Sequence, residues 1–83
     1  MTEVKVMTIQ DVKDFIEEKL ADAESEYVTS ADSVMNIRAQ AFGIIMFAQK
    51  FLPYDELKAY WNGENGEEGV WQKFNDIARG KSR

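Results

Sequence analysis

An all-α fold is predicted by three features of this sequence. Apolar residues recur every three or four positions, capping residues stand where those runs begin, and the single proline, Pro53, stands where one run ends. The expected architecture is a small helical bundle, two longer antiparallel helices followed by two short C-terminal ones.

The first helix is expected from about Ile9 to Glu26. Thr8 is a suitable N-cap, and Asp11 three residues on completes a capping box with Asp in place of Glu. Met7 and Val12 occupy the positions of a hydrophobic staple. Ile9, Val12, Ile16, Leu20, Ala23 and Tyr27 form a single apolar stripe, with Phe15 beside it. Upstream, Val4 and Val6 alternate with Glu3 and Lys5 at the period of a strand, but so short a terminal segment is expected to be a flexible arm, residues 1–7.

Val28 to Asp32 breaks the pattern. Ser30 or Thr29 can cap the next helix, and Asp32 in its first turn suits the positive end of the helix dipole. This second helix, about Ser33 to Leu52, is the most informative segment because it is apolar on two sides. Val34, Ile37, Ala41, Ile44, Ile45, Ala48, Phe51 and Leu52 make one stripe. Met35, Ala39, Phe42 and Met46 make a second, with Phe47 outside both and Arg38 and Gln49 between them. A surface helix needs one apolar face, so a helix with two must be covered twice. Gly43 near its middle costs about 1 kcal/mol against alanine; it leaves room for another helix, or has no role.

Pro53 ends the second helix by removing a donor and disfavouring helical geometry at Leu52. It also suits the start of a short third helix, Tyr54 to Trp61. The turn from Asn62 to Gly66 holds two Asn-Gly pairs, which also favour β-hairpins. A hairpin joining Ala59–Trp61 to Val70–Trp71 is therefore the alternative to two helices. The last helix, about Glu67 to Arg79, places Val70, Trp71, Phe74, Ile77 and Ala78 on one side. Gly80 closes it, with Lys73 and Arg79 suited to its negative end. A single helical domain, residues 8–80, and a basic tail, 81–83, complete the organisation.

With 83 residues, such a domain buries only about 60–65% of the surface its unfolded chain exposes, so its stability margin is thin. It contains no Cys and no His. That removes disulfides, thiolate chemistry, the imidazole base, the Ser-His-Asp triad and the carboxylate-His di-metal motif. There is no Gly-rich phosphate loop: Gly63, Gly66 and Gly69 lack the accompanying lysine. The Asn62–Glu68 loop is rich in acids and amides but does not follow the EF-hand order of calcium ligands. No cofactor and no metal are expected. A carboxylate-dependent enzyme would need a desolvated acidic pair, and ranks last among the functions considered.

The net charge of −5 argues against direct nucleic-acid binding. No apolar run is long enough to span a membrane and no signal-peptide pattern opens the chain, so a soluble, cytoplasmic protein is expected. A short acidic helical chain without His or Cys is a composition common among small proteins of bacteria and their phages. Residues 1–32 carry nine acidic groups against three basic ones, whereas residues 69–83 carry four basic groups against one acid. Such ends can attract each other within a chain or between chains.

Three surfaces are candidates for function. The second stripe, Met35, Ala39, Phe42 and Met46, together with Phe47, is the candidate for self-association, since in a short chain the second cover can come from another copy. An acidic rail, Asp11, Asp14, Glu18 and Asp22 with Glu26 extending it, lines the face of the first helix opposite Ile16 and Leu20. Like charges at that spacing oppose helix formation, so the rail is either a solvated face or a partner surface for a basic protein. Tyr54, Tyr60, Trp61, Trp71 and Phe74 flank the Gly-rich turn as an aromatic cap or an interface. The leading expectation is a non-enzymatic protein acting by association, as a homodimer. The alternative is an acidic inhibitor or nucleic-acid mimic that occupies a basic groove on a target.

Overall fold

The computed structural model describes residues 7–81, and these form four helices with no strand among them. Helix α1 spans Ile9–Glu24. Its capping box forms in both directions: Asp11 N donates to Thr8 Oγ1 at 3.1 Å, and Thr8 N donates to Asp11 Oδ2 at 2.9 Å. Val12, Ile16, Leu20 and Ala23 make its buried side. The helix stops two residues earlier than the periodicity suggests. Ser25 leaves helical geometry and its hydroxyl and amide both donate to the Asp22 carbonyl, at 2.8 and 3.2 Å. Tyr27, expected on the apolar stripe, therefore falls in the connector and is 90% exposed.

Helix α2, Ala31–Ala48, is capped by Ser30, whose side chain accepts from Ser33 N at 3.2 Å. It begins two residues before the expected start and ends four before Leu52. Val34, Ala41, Ile45 and Ala48 are its buried residues, while Ile37, Ile44 and Leu52 pack at the edge of the core. Phe51 was expected in that same stripe. The chain has already turned there, with Phe51 N bonded to Ala48 O, so Phe51 is 67% exposed.

Helix α3, Tyr54–Asn62, starts directly after Pro53 and buries Leu57. Helix α4, Val70–Gly80, starts three residues later than expected and buries Val70, Phe74 and Ala78. The hairpin alternative fails: Ala59–Trp61 and Val70–Trp71 lie in helices. The turn itself has hairpin character, since Asn65 and Gly66 both take positive φ (52° and 84°) and Glu67 N bonds to Glu64 O at 2.9 Å. What decides the flanks is spacing. Leu57 and Trp61 on one side, and Val70, Phe74 and Ala78 on the other, reach the core only at helical period. The ends of α3 and α4 come so close that a β-carbon on Gly69 would strike the Trp61 carbonyl and the Gly63 amide.

The core lies between α2 and the helices packed on it, α1 and α4, with α3 against α4. Phe74 and Ile16 are its largest fully buried side chains. One long-range clasp closes the fold: Lys81 Nζ donates to the carbonyls of Ser25 and Val28, at 2.7 and 2.5 Å, tying the end of α4 to the α1–α2 connector. The basic tail thus begins with a partly buried, engaged lysine; residues 82 and 83, like 1–6 of the arm, lie outside the described residues.

Candidate interaction surface

Residues of the second stripe divide by position on α2. Met35 is half-buried against the core. Ala39 is exposed. Phe42, Met46 and Phe47 are 44%, 43% and 53% exposed. These large side chains do not stand alone. On the α1 side a groove of about 570 Å³ is lined by Met7, Phe15, Gly43, Ile44 and Phe47. Lys19 Nζ donates to Gln40 Oε1 across it at 3.1 Å. Phe51 extends the band, its ring 5.2 Å from Phe47.

On the opposite flank Phe42 lies 5.4 Å from Trp61, which in turn lies 6.4 Å from the buried Phe74. Two shallow pockets of about 510 and 410 Å³ open beside Phe42, bordered by Trp61, Trp71, Tyr54 and Met46 together with Arg38 and Lys58. Arg38 donates to Asn75 Oδ1 at 2.8 Å, and Lys58 sits 5.9 Å from the Tyr54 ring. The outcome is one apolar band running from Met7 and Phe15, across the outer face of α2, to Trp61 and Trp71. The described residues are 15 Å deep in their shortest dimension, about two packed helices, so no third layer among them lies over that band. Met7 and Phe15 were not expected here; the available signal was that Phe15 stands beside the α1 stripe rather than in it.

The aromatic group is split rather than gathered. Phe74 is fully buried, Trp61 and Tyr60 are half-buried, and Tyr54 and Trp71 reach the surface. Tyr60 leaves the band altogether. Its hydroxyl donates to Glu17 Oε1 at 3.1 Å and approaches the Lys13 carbonyl at 3.4 Å, with Lys13 Nζ 5.4 Å from its ring. Burial, and then the neighbouring Glu17 carboxylate, push the Tyr60 phenol far above its ordinary range, so it stays a neutral donor.

The acidic rail is interrupted. Asp11 is engaged in the capping box, and Asp14 accepts from Gln10 at 2.8 Å. Glu18 and Asp22 are exposed on α1. Glu26 cannot extend the rail, because α1 ends at Glu24 and Glu26 lies beyond its C-cap. Glu17, outside the rail, accepts from Tyr60 of α3. Among the described residues no group of three or more Asp or Glu converges as metal ligands would. No helix among them is long and apolar enough to cross a membrane.

Chemically, then, this surface can bury apolar area and place a few charges at its edges. Compared with known proteins, the chain matches no family model, and no match was found among curated proteins or solved structures.

Proposed function

We propose that this protein is a non-enzymatic helical module that acts by pairing with a second copy of itself through the outer face of α2. One observation carries the reading: α2 leaves three large apolar side chains at its outer face while its inner face is already buried. Val34, Ala41 and Ala48 are fully buried, while Phe42, Met46 and Phe47 are about half exposed. Monomers rarely leave a contiguous apolar patch larger than a few hundred Å². Met7, Phe15, Phe42, Met46, Phe47 and Phe51 are each exposed by 43–67%. At roughly 100 Å² apiece, they approach the ~800 Å² per partner typical of a stable interface. Met46 and Met7 are adaptable in such contacts.

In this reading α1 and α2 form an antiparallel pair. The Lys19–Gln40 bond, and the groove that Met7 and Asp11 share with Gly43 and Phe47, support that order. The short helices α3 and α4 pack across the pair and leave its outer face for the mate. A reducing, aqueous compartment suits a chain without Cys. The rival reading, an acidic inhibitor filling a basic groove, has less to draw on, because two of its carboxylates are already held within α1 and Glu26 lies off the helix.

Solution mass by light scattering across a concentration series tests the proposal. The expected result is a dimer that persists on dilution and becomes a monomer in Phe42→Asp, with its helical circular dichroism intact. A monomer at every concentration, or a dimer indifferent to Phe42→Asp, would remove this interface.

A further inference from the structure

Gly43 stands exposed in the middle of α2, and a β-carbon built on it would meet no atom within 4 Å. Glycine inside a helix weakens it relative to alanine. Among the described residues no neighbour comes close enough to make use of the missing side chain. Yet Gly43 lies at the centre of the apolar band, between the Phe15–Phe47 groove on one flank and Phe42, Met46 and Trp61 on the other.

The two flanks differ in charge. On the α1 flank the groove is lined by Asp11 and one base, Lys19, and the same helix exposes Glu18 and Asp22, so acids outnumber bases there three to one. The other flank presents Arg38 and Lys58, and no carboxylate lines either pocket there. Neither base is ion-paired among the described residues.

We infer that the second copy crosses α2 at Gly43, backbone against backbone, with the acidic α1 flank of each copy laid over the Arg38–Lys58 flank of the other. This rests on the self-association reading and adds the geometry of the pair. Two arrangements of a face-to-face twofold are available. An axis running along α2 brings unlike flanks together. An axis running across α2 sets acidic flank on acidic flank and basic on basic. Charge selects the first. Glycine at the crossing lets the helices approach more closely than the usual 8–10 Å between axes.

The test measures dimer dissociation constants by analytical ultracentrifugation for the wild type, Gly43→Ala and the neutralising double variant Glu18→Gln with Asp22→Asn, at low and high salt. Gly43→Ala should act in opposite directions on fold and assembly. It should raise the melting temperature of the diluted monomer and weaken the dimer by about tenfold or more, because two β-carbons then meet at the crossing. The wild-type dimer should weaken with salt. The double variant should weaken it by about tenfold at low salt, since it removes four modest charge pairs related by the twofold. A dimer still broken by Phe42→Asp but unchanged by Gly43→Ala, or tightened by the charge-neutral variant or by salt, would overturn this crossing and leave the self-association reading standing. A wild-type monomer would overturn both.

Discussion

The two faces of α2 invert the usual distribution of side-chain size. The inner face carries a valine, two alanines and an isoleucine, buried to 6% exposure or less; the outer face carries two phenylalanines and a methionine in water. Large apolar residues normally go inside because they remove the most surface from water. On α2 the inner side is filled by its neighbours instead, by Ile16 from α1 and by Phe74 from α4, both fully buried. Small residues on α2 let those helices come close. The difference teaches that the described core is filled from α1 and α4, with the outer aromatics of α2 left at its margin.

That comparison can be broken most directly from the neighbours' side. Phe74→Ala should cost about 3–5 kcal/mol, enough to unfold much of so small a domain, read as loss of the cooperative thermal transition. If Phe74→Ala melts like the wild type, the inner face is not the core. The sharper version uses adjacent residues. Ile45→Ala should destabilise by about 2–4 kcal/mol, whereas Met46→Ala should change monomer stability by no more than about 0.5 kcal/mol. Urea unfolding of diluted protein separates the two, and equal effects would erase the distinction between the faces.

The smallest effect concerns pH. In the folded state the Tyr60 phenol is raised above its unfolded value, by burial first and by Glu17 second. Above pH 10 the unfolded chain releases this proton while the folded chain keeps it, so the stability it contributes is full below that pH and declines as pH rises further. Tyr60→Phe should cost about 0.5–1.5 kcal/mol near neutrality, from the lost hydrogen bond, and should flatten the alkaline decline. An alkaline unfolding curve identical in slope to the wild type's would assign the loss of stability to other groups.

What can be read from the sequence here is local. The Thr8–Asp11 capping box and the Ser30 cap each depend on residues three positions apart, and both form as their spacing suggests; Pro53 precedes α3 as expected but does not end α2, which stops at Ala48. The two-sided pattern of α2 is also local: Phe42 and Met46 of the second stripe, and Phe47 beside it, are exposed, whereas Met35 packs at the edge of the core. The errors at the helix ends have a common cause. Tyr27 and Phe51 continue an apolar period past the point where the backbone has already turned, at Ser25 and after Ala48, and a periodic pattern carries no information about that turn. Long-range pairings were not legible at all. Tyr60 with Glu17, Arg38 with Asn75 and Lys81 with the Ser25 and Val28 carbonyls span 37 to 56 residues. Before folding, nothing marks Glu17 apart from the other carboxylates of α1. The candidate surface was half legible: its α2 centre was, whereas Met7 and Phe15 join it only because α1 packs where it does.

The Lys81 clasp bears on the order of events when the chain is made. Synthesis proceeds from the N-terminus, so α1, its connector and α2 leave the ribosome before α4 and Lys81 have emerged. During that interval the Ser25 and Val28 carbonyls lack the donor that later holds them, and the inner face of α2 lacks Phe74. An α1–α2 fragment at that stage shows water the outer face of its most apolar helix and the part of the inner face that α4 later covers. Closure of the core needs α4, and until that helix has emerged the uncovered apolar surface of α2 favours aggregation.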